Sequence, residues 1–380
     1  MAVGSCPRWT AGVQHGFAGY QMKELRSILA RLREPSATPA ALATLCRVRG
    51  SSYRRPGARL LLAADGGRTG AISGGCLEDD VLLRAKTVAA GGAAQAVTYD
   101  TTEENDLVWG VGLGCHGVVD VVVEKIPVGS AGWMKCVGDA WARREDAAVA
   151  VAYRADDAAI LGTRAALPGD GGDFWGDAAL RAGLEQALAR RGAHHATSAG
   201  AEIFYEFLAR PVPLVIFGAG DDARPLCRMA AELGFAVSVG DARSAYATQE
   251  RFPEADAVFA DTPERLAGRV PLDVRTVAVV MTHHYVHDVP LLRALLPQPL
   301  AYLGLLGPKQ RADKILADLA ADGLAIAPEM RARLRAPVGL DIGATTPETV
   351  ALAVLAEIQA VLAGRDGRPL RERGGPIHGE

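Results

Sequence analysis

Two cysteines set among glycines carry the sharpest chemical signal in this sequence. The first stands in Ile72-Ser73-Gly74-Gly75-Cys76-Leu77-Glu78, the second in Gly112-Leu113-Gly114-Cys115-His116-Gly117. A helical pattern over residues 77–90 follows the first directly, so the spacing predicts Cys76 at or beside a helix N-terminus. Unpaired amides and the helix dipole favour an anion there, a thiolate included. Glycines let a ligand approach the main chain and permit positive φ angles. One sulfur-handling or anion-binding site is the functional expectation. Two small, buried, apolar cysteines are the alternative.

A second signal lies in the C-terminal half. Gly218-Ala219-Gly220-Asp221-Asp222-Ala223 follows the apolar run Leu214-Val215-Ile216-Phe217 and opens a helical pattern. In that setting Gly218 permits the tight turn, Gly220 clears space for a pyrophosphate, and Ala223 lets the helix pack closely on the sheet. Asp241, at the end of the next strand, is placed to bind a ribose, and Arg243 to meet an extra phosphate or stack on a base. Asp221 and Asp222 oppose a phosphate unless they point away, so a scaffold that binds no nucleotide stays open. Further on, His283 in Met281-Thr282-His283-His284-Tyr285-Val286-His287-Asp288 ends a predicted strand, where open α/β sheets place ligands. A polar rim donating hydrogen bonds is the main reading of His283. A metal held by His283 and His287 from one helical face at i, i+4 spacing, with Asp288, is the lesser one, since no H-E-x-x-H glutamate is present.

Positioning these residues requires two kinds of architecture. The first half reads as short strands broken by turns: strands near 43–48, 59–64, 96–99 and 118–124, then 148–153, 159–163 and 202–208. Helices are expected at 23–33, 134–144 and 177–191. The C-terminal half alternates buried strands with helices, the mark of a doubly wound parallel sheet. The expected fold is therefore α/β, an N-terminal α+β domain over 22–209 and a Rossmann-like domain over 214–363. Tails are expected at 1–21 and 364–380, and no internal repeat is evident in the sequence. The chain has 380 residues, 49% hydrophobic and 22% charged, with a formal net charge of −3. That balance suits a globular protein and argues against nucleic acid or a membrane surface as the main partner. With no signal pattern in the first twenty residues and no CxxC pair, the expected location is the cytoplasm.

The basic loop Arg49-Gly50-Ser51-Ser52-Tyr53-Arg54-Arg55-Pro56-Gly57-Ala58-Arg59, the segment 70–78 and the segment 112–117 together resemble the XdhC/CoxI family of accessory proteins for molybdenum hydroxylases. In the second half the resemblance adds Phe217-Gly218-Ala219-Gly220, Met281-Thr282-His283, residues 302–307 and residues 336–343. It implies a cytosolic chaperone, not the hydroxylase itself. Such a protein binds molybdenum cofactor (molybdopterin), supports its sulfuration with a cysteine desulfurase, and inserts it into an apo molybdenum hydroxylase. A homodimer is the expected state. On this view Ser73, Gly74, Gly75, Cys76 and Cys115 contact the cofactor, thiolates suiting a soft metal or sulfur. Arg54, Arg55 and Arg59 donate to its phosphate or pterin edge, unless the loop is merely solvated. The sequence departs from the family pattern at His116 and at Asp221. Two other readings stay open: an NAD(P)-dependent oxidoreductase built on the C-terminal domain, and an assembly scaffold that holds no cofactor.

Overall fold

A computed structural model describes residues 19–33, 40–63, 65–100, 117–126, 132–169, 172–198, 200–372 and 374. These fall into two compact units, Tyr20–Pro211 and a second that runs from Val212. Among them no helix is long and apolar enough to cross a membrane.

The first unit opens with α1 (Gly19–Arg33), β1 (Ala40–Gly50), β2 (Arg59–Leu62), β3 (Arg68–Gly70), α2 (Glu78–Ala89), β4 (Gln95–Asp100) and β5 (Gly117–Ile126). It continues with α3 (Trp133–Ala142), β6 (Ala147–Ala155), β7 (Arg164–Pro168), β8 (Trp175–Gly176), α4 (Arg181–Arg190), β9 (His194–Ser198) and β10 (Ala201–Leu208). The strands form two antiparallel five-stranded sheets, ordered β3-β2-β1-β5-β4 and β8-β7-β6-β10-β9. The helix-and-strand order and the strand order are thus the same in both halves. The match extends to detail. The ladder slips past Cys46 on β1 and past Tyr153 on β6. Leu45 bonds Ala58 and Gly57 through its amide and carbonyl, just as Ala152 bonds Thr163 and Gly162.

Charges tie the halves together reciprocally. Arg59 of β2 pairs with Glu206 of β10, and its counterpart Arg164 of β7 pairs with Glu124 of β5. Arg47 reaches Glu202 at 3.0 Å, while Arg154 reaches Asp120 at 2.9 Å. Residue i contacting j while j′ contacts i′ is the signature of a two-fold interface. The first unit is therefore an internal duplication, which correspondence of residue types alone did not reveal. Both inner guanidiniums lie by the indole of Trp133, at 5.7 Å for Arg59 and 4.6 Å for Arg164. Leu42, Leu61, Val149 and Ala166 fill the core around that indole, and α2 and α4 each cover their own sheet.

Some expected elements move. Residues 159–163 form a turn closed by Gly162 at φ 80° and by bonds from Ile160 to Asp157 and Thr163 to Ile160. Apolar composition without a strict period misplaced that strand, which begins at Arg164 instead. Two edge strands, β8 and β9, were not expected: both are short and polar or exposed, so they lack the alternation that marks a half-buried strand.

The second unit comprises β11 (Pro213–Phe217), α5 (Ala223–Glu232), β12 (Ala236–Asp241), β13 (Ala257–Ala260), α6 (Pro263–Leu266), β14 (Val277–Val280) and α7 (Tyr285–Leu295), then β15 (Tyr302–Leu305), α8 (Lys309–Ala321), α9 (Pro328–Arg333), β16 (Leu334–Arg335) and α10 (Pro347–Leu362). Its parallel sheet runs β13-β12-β11-β14-β15-β16, so the order reverses between β11 and β14. That is the switch point at which doubly wound sheets bind ligands. The apolar run of β11 divides by pleat. Leu214 and Ile216 enter the core under α5 and α10, whereas Val215 and Phe217 enter the core under α7 and α8.

Candidate functional site

In the first unit the glycine–cysteine turn is built by its own polar residues. The Glu78 carboxylate accepts from the Ile72 amide at 3.2 Å, from the Ser73 amide at 2.8 Å, and from the Ser73 hydroxyl. The Ser73 oxygen in turn accepts from the Gly75 and Leu77 amides, both at 3.1 Å. Burial opposes ionisation of Glu78, but these donors outweigh it and hold the carboxyl below the usual carboxylate range. Among the described residues the amides of Gly74 and Cys76 keep no hydrogen-bond partner. Gly75 stands at φ 117° with open space where a Cβ would lie. Cys76 is half-buried just before the N-cap Leu77 of α2.

The basic loop lies against this turn. A Cβ on Gly74 would sit 3.6 Å from the ring of Tyr53, and that ring is 74% exposed. The start of β5 closes on the same loop, with Gly50 opposite Gly117 in register and the Ser51 carbonyl standing where a Gly117 Cβ would go. Cys115, His116, Gly112 and Gly114 lie outside the described residues. The structure thus gathers Tyr53, Gly74, Gly75 and Cys76 at one end of the first sheet.

Two of the three arginines expected to meet a ligand are spent elsewhere. Arg54 is buried and donates to Glu24 at 2.6 Å. Arg59 is 2% exposed and pairs with Glu206, while its amide donates to Glu24 at 2.6 Å. A guanidinium committed to a buried carboxylate is a structural ion pair, because releasing it would strand the partner charge. Arg55 alone of the three is exposed. The other described cysteines offer poor thiolates. Burial pushes the thiol of Cys136 up to about 11 and that of Cys227 to about 12, and drives Cys46 higher still.

In the second unit the glycine-rich turn adopts its expected place. Gly218, at φ 121°, lets β11 pass the end of β14, for a Cβ there would stand 2.5 Å from the Met281 carbonyl. The groups expected to hold a dinucleotide are occupied from within. Asp241 accepts at Oδ1 from the Arg243 amide and Nε, at 2.8 and 2.9 Å. Its Oδ2 accepts from the Ala219 amide at 2.6 Å and from Arg243 Nη2 at 2.8 Å. Four donors fill the four acceptor directions of a carboxylate, leaving none for a ribose diol. Arg243 also stacks on Tyr246, its guanidinium 4.1 Å from the ring centre. Asp222 Oδ1 stands 2.8 Å from where a Gly220 Cβ would be, in the space the glycine clears for a pyrophosphate. Asp221, on the same turn, pairs with Arg251 at 2.9 Å. The residues present do not fit a dinucleotide.

His283 bonds Asp222 through Nε2 at 2.5 Å and holds φ at 59°. The helix after it begins at Tyr285, so His283 and His287 do not share a helical face. Asp288 is 1% exposed and accepts from Thr282 and Arg311. Burial pushes its carboxyl up, against the pull of those two donors. Among the described residues no group of three His, Cys, Asp or Glu side chains is placed to hold a metal. Sequence reasoning missed the Ser73–Glu78 and Asp222–His283 pairings; the Glu five residues after Ser73 was the one visible trace of the former.

Residues 35–100 match the XdhC and CoxI family, and residues 214–358 match the XdhC Rossmann domain. The chain is 34% identical over 321 residues to a Bacillus subtilis protein described as a "Probable xanthine dehydrogenase" subunit, covering 84% of this chain and 92% of the relative. It is 23% identical to the "Molybdenum cofactor insertion chaperone PaoD" of Escherichia coli, over 86% of this chain and 84% of that one. A crystal structure from Bacillus halodurans, described as a xanthine dehydrogenase, superposes with a TM-score of 0.72 at 28% identity, over 90% of this chain and 97% of the other. By family match, identity and fold, this chain belongs to the XdhC and CoxI family.

Proposed function

We propose that this chain is an accessory protein that holds molybdenum cofactor and delivers it to a molybdenum hydroxylase. The names of its relatives support the cofactor and the client class. The carrying observation lies inside the chain. Its first unit holds one fold twice, and the two halves share Gly57 and Gly162, Arg59 and Arg164, Gly70 and Gly176, and Glu124 and Glu206. Between the glycine that ends the third strand and the following helix, the first half runs through residues 71–77, which include Ser73, Gly74, Gly75 and Cys76, whereas the second takes only residues 177–180, Asp177 and a short turn. What both halves keep is scaffold; what one half adds is the candidate site.

The cofactor is cargo here, an anionic pterin with a phosphate and a dithiolene-bound metal. Cys76 offers a soft sulfur to the metal or to a sulfur transfer. The amides of Gly74 and Cys76, without a partner among the described residues, suit a phosphate oxygen, Arg55 its charge, and the exposed Tyr53 ring the flat pterin face. Cys115 is the second sulfur in this reading. Sulfuration by a cysteine desulfurase, a homodimer, a cytoplasmic location and the domain bounds 22–209 and 214–363 belong to the same proposal. The geometry of the Gly218 turn gives no support to an NAD(P)-dependent oxidoreductase.

Protein purified from a molybdenum-replete host should carry pterin and molybdenum, and should activate an apo-hydroxylase of the xanthine dehydrogenase class when the two are mixed. Co-purification with the hydroxylase but without pterin would favour the scaffold reading instead.

A further inference from the structure

Only the first half of the duplicated unit carries the 73–76 turn, so the second half shows what the scaffold alone requires. The leading helices correspond residue for residue: Met22-Lys23-Glu24-Leu25 stands against Met134-Lys135-Cys136-Val137. At the same offset Leu25, Ile28 and Leu29 of α1 match Val137, Ala140 and Trp141 of α3 in one shared core. The third strands end alike too. A Cβ on Gly70 would meet the Arg59 carbonyl at 2.3 Å, and one on Gly176 the Arg164 carbonyl at 2.3 Å. At the matching places, Glu24 has Cys136 as its counterpart. Counting back from Gly57 and Gly162, Arg54 has Ala159. Neither member of the Glu24–Arg54 ion pair exists in the half that lacks the turn.

Glu24 sits where the parts of the site meet. Its side chain is 4% exposed, and its Oε2 accepts from Arg54 Nη2 at 2.6 Å. Its Oε1 accepts from the Arg59 amide at 2.6 Å, at the start of β2. Its Cγ lies 3.0 Å from where a Gly70 Cβ would be, at the residue from which segment 71–77 departs. One carboxylate thus ties the loop that carries Tyr53 to the strands that launch the turn. Tyr53 has no burial to hold it: its ring is 74% exposed and lies against Gly74. In the second half Cys136 reaches the Asp173 carbonyl at 3.7 Å instead, and residues 156–161 include no basic residue. Burying a charge pair costs desolvation that its attraction about offsets, so such a pair is weak evidence for stability and better evidence for placement.

We propose that Glu24 is a positioning residue for the Cys76 site. Through Arg54 it holds the Tyr53 ring against the Gly74–Gly75 turn, as a fixed platform for the flat face of the ligand. A ring already held in place loses less freedom on binding than one that swings, so the clamp raises affinity without touching the ligand. The inference rests on the cofactor reading for its ligand, but not for its geometry.

Fluorotyrosine labelling of the full chain tests the geometry without cofactor, the Tyr53 fluorine signal being the one that Tyr53→Phe removes. We expect that signal to stand apart from free fluorotyrosine in the parent, and to move toward the free value in Glu24→Gln and in Arg54→Met. Arg54→Met leaves Glu24 bonded to the Arg59 amide, so it carries the test if Glu24→Gln does not fold. Retention of molybdenum cofactor through gel filtration should fall about fivefold in each variant, the worth of immobilising one side chain. Because Glu24 acts through Tyr53, the losses should not multiply: Glu24→Gln added to Tyr53→Ala should retain as much as Tyr53→Ala alone. An unchanged Tyr53 signal in the variants, or losses that multiply, would overturn the proposal. A parent that retains no cofactor, with the Tyr53 signal moving as expected, would defeat the cofactor reading and uphold the positioning.

Discussion

At the scale of single residues, the 73–76 turn depends on one carboxylate. Glu78 ties three donors, while the amides of Gly74 and Cys76 keep no partner among the described residues. Its folded pKa is depressed, so the stability it contributes is present above the unfolded value near 4.5 and is lost as the pH falls through the lower folded value. Glu78→Gln should therefore flatten the acid limb of stability, measured by urea unfolding between about pH 5 and 3. An identical slope in both proteins would contradict that role. The same substitution should cost about 1.5–3 kcal/mol at neutral pH, the worth of charge-assisted hydrogen bonds. The type of Cys76 and its place before a helix were legible in the sequence. The spending of Arg54 and Arg59 on Glu24 and Glu206 was not, because those carboxylates stand 30 and 147 residues away from their partners.

At the scale of elements, glycine placement decides how strands and turns meet. Gly218 brings the first strand of the parallel sheet past the neighbouring strand end, with a Cβ admissible neither by space nor by φ. Gly218→Ala should lower stability by about 1–3 kcal/mol, as strain at a left-handed position does; an unchanged urea midpoint would refute the contact. Five of the six parallel strands were legible because they are short apolar runs; the two-residue edge strand β16, Leu334–Arg335, was not. The edge strands β8 and β9 were not, because their residues are exposed and carry no alternation. The dinucleotide fingerprint was legible as a fold signal and misleading as a ligand signal. The turn keeps its glycines, while Asp222, which follows in sequence, folds back onto the space that Gly220 clears.

For the whole molecule, the sequence yielded a two-part architecture, and the structure added that the first part is one topology used twice. Side-chain identities between the halves are few; what recurs is a pair of arginines at strand starts, a pair of glutamates facing them, and the bulge between. Arg59→Met should cost about 3–5 kcal/mol, since it strands the buried Glu206. Adding Glu206→Leu should recover most of that loss, and failure to recover it in urea unfolding would show that the pair does more than satisfy itself. The duplication also sharpens the functional claim, because it separates a shared scaffold from the longer segment, residues 71–77, that holds Cys76. The most direct measurement follows from that claim. Purified chain and its Cys76→Ala variant are mixed with molybdenum cofactor, passed through gel filtration, and assayed for retained pterin and molybdenum. We predict retention by the parent and at least a tenfold loss in the variant, with melting temperatures unchanged; equal retention by both would contradict the account.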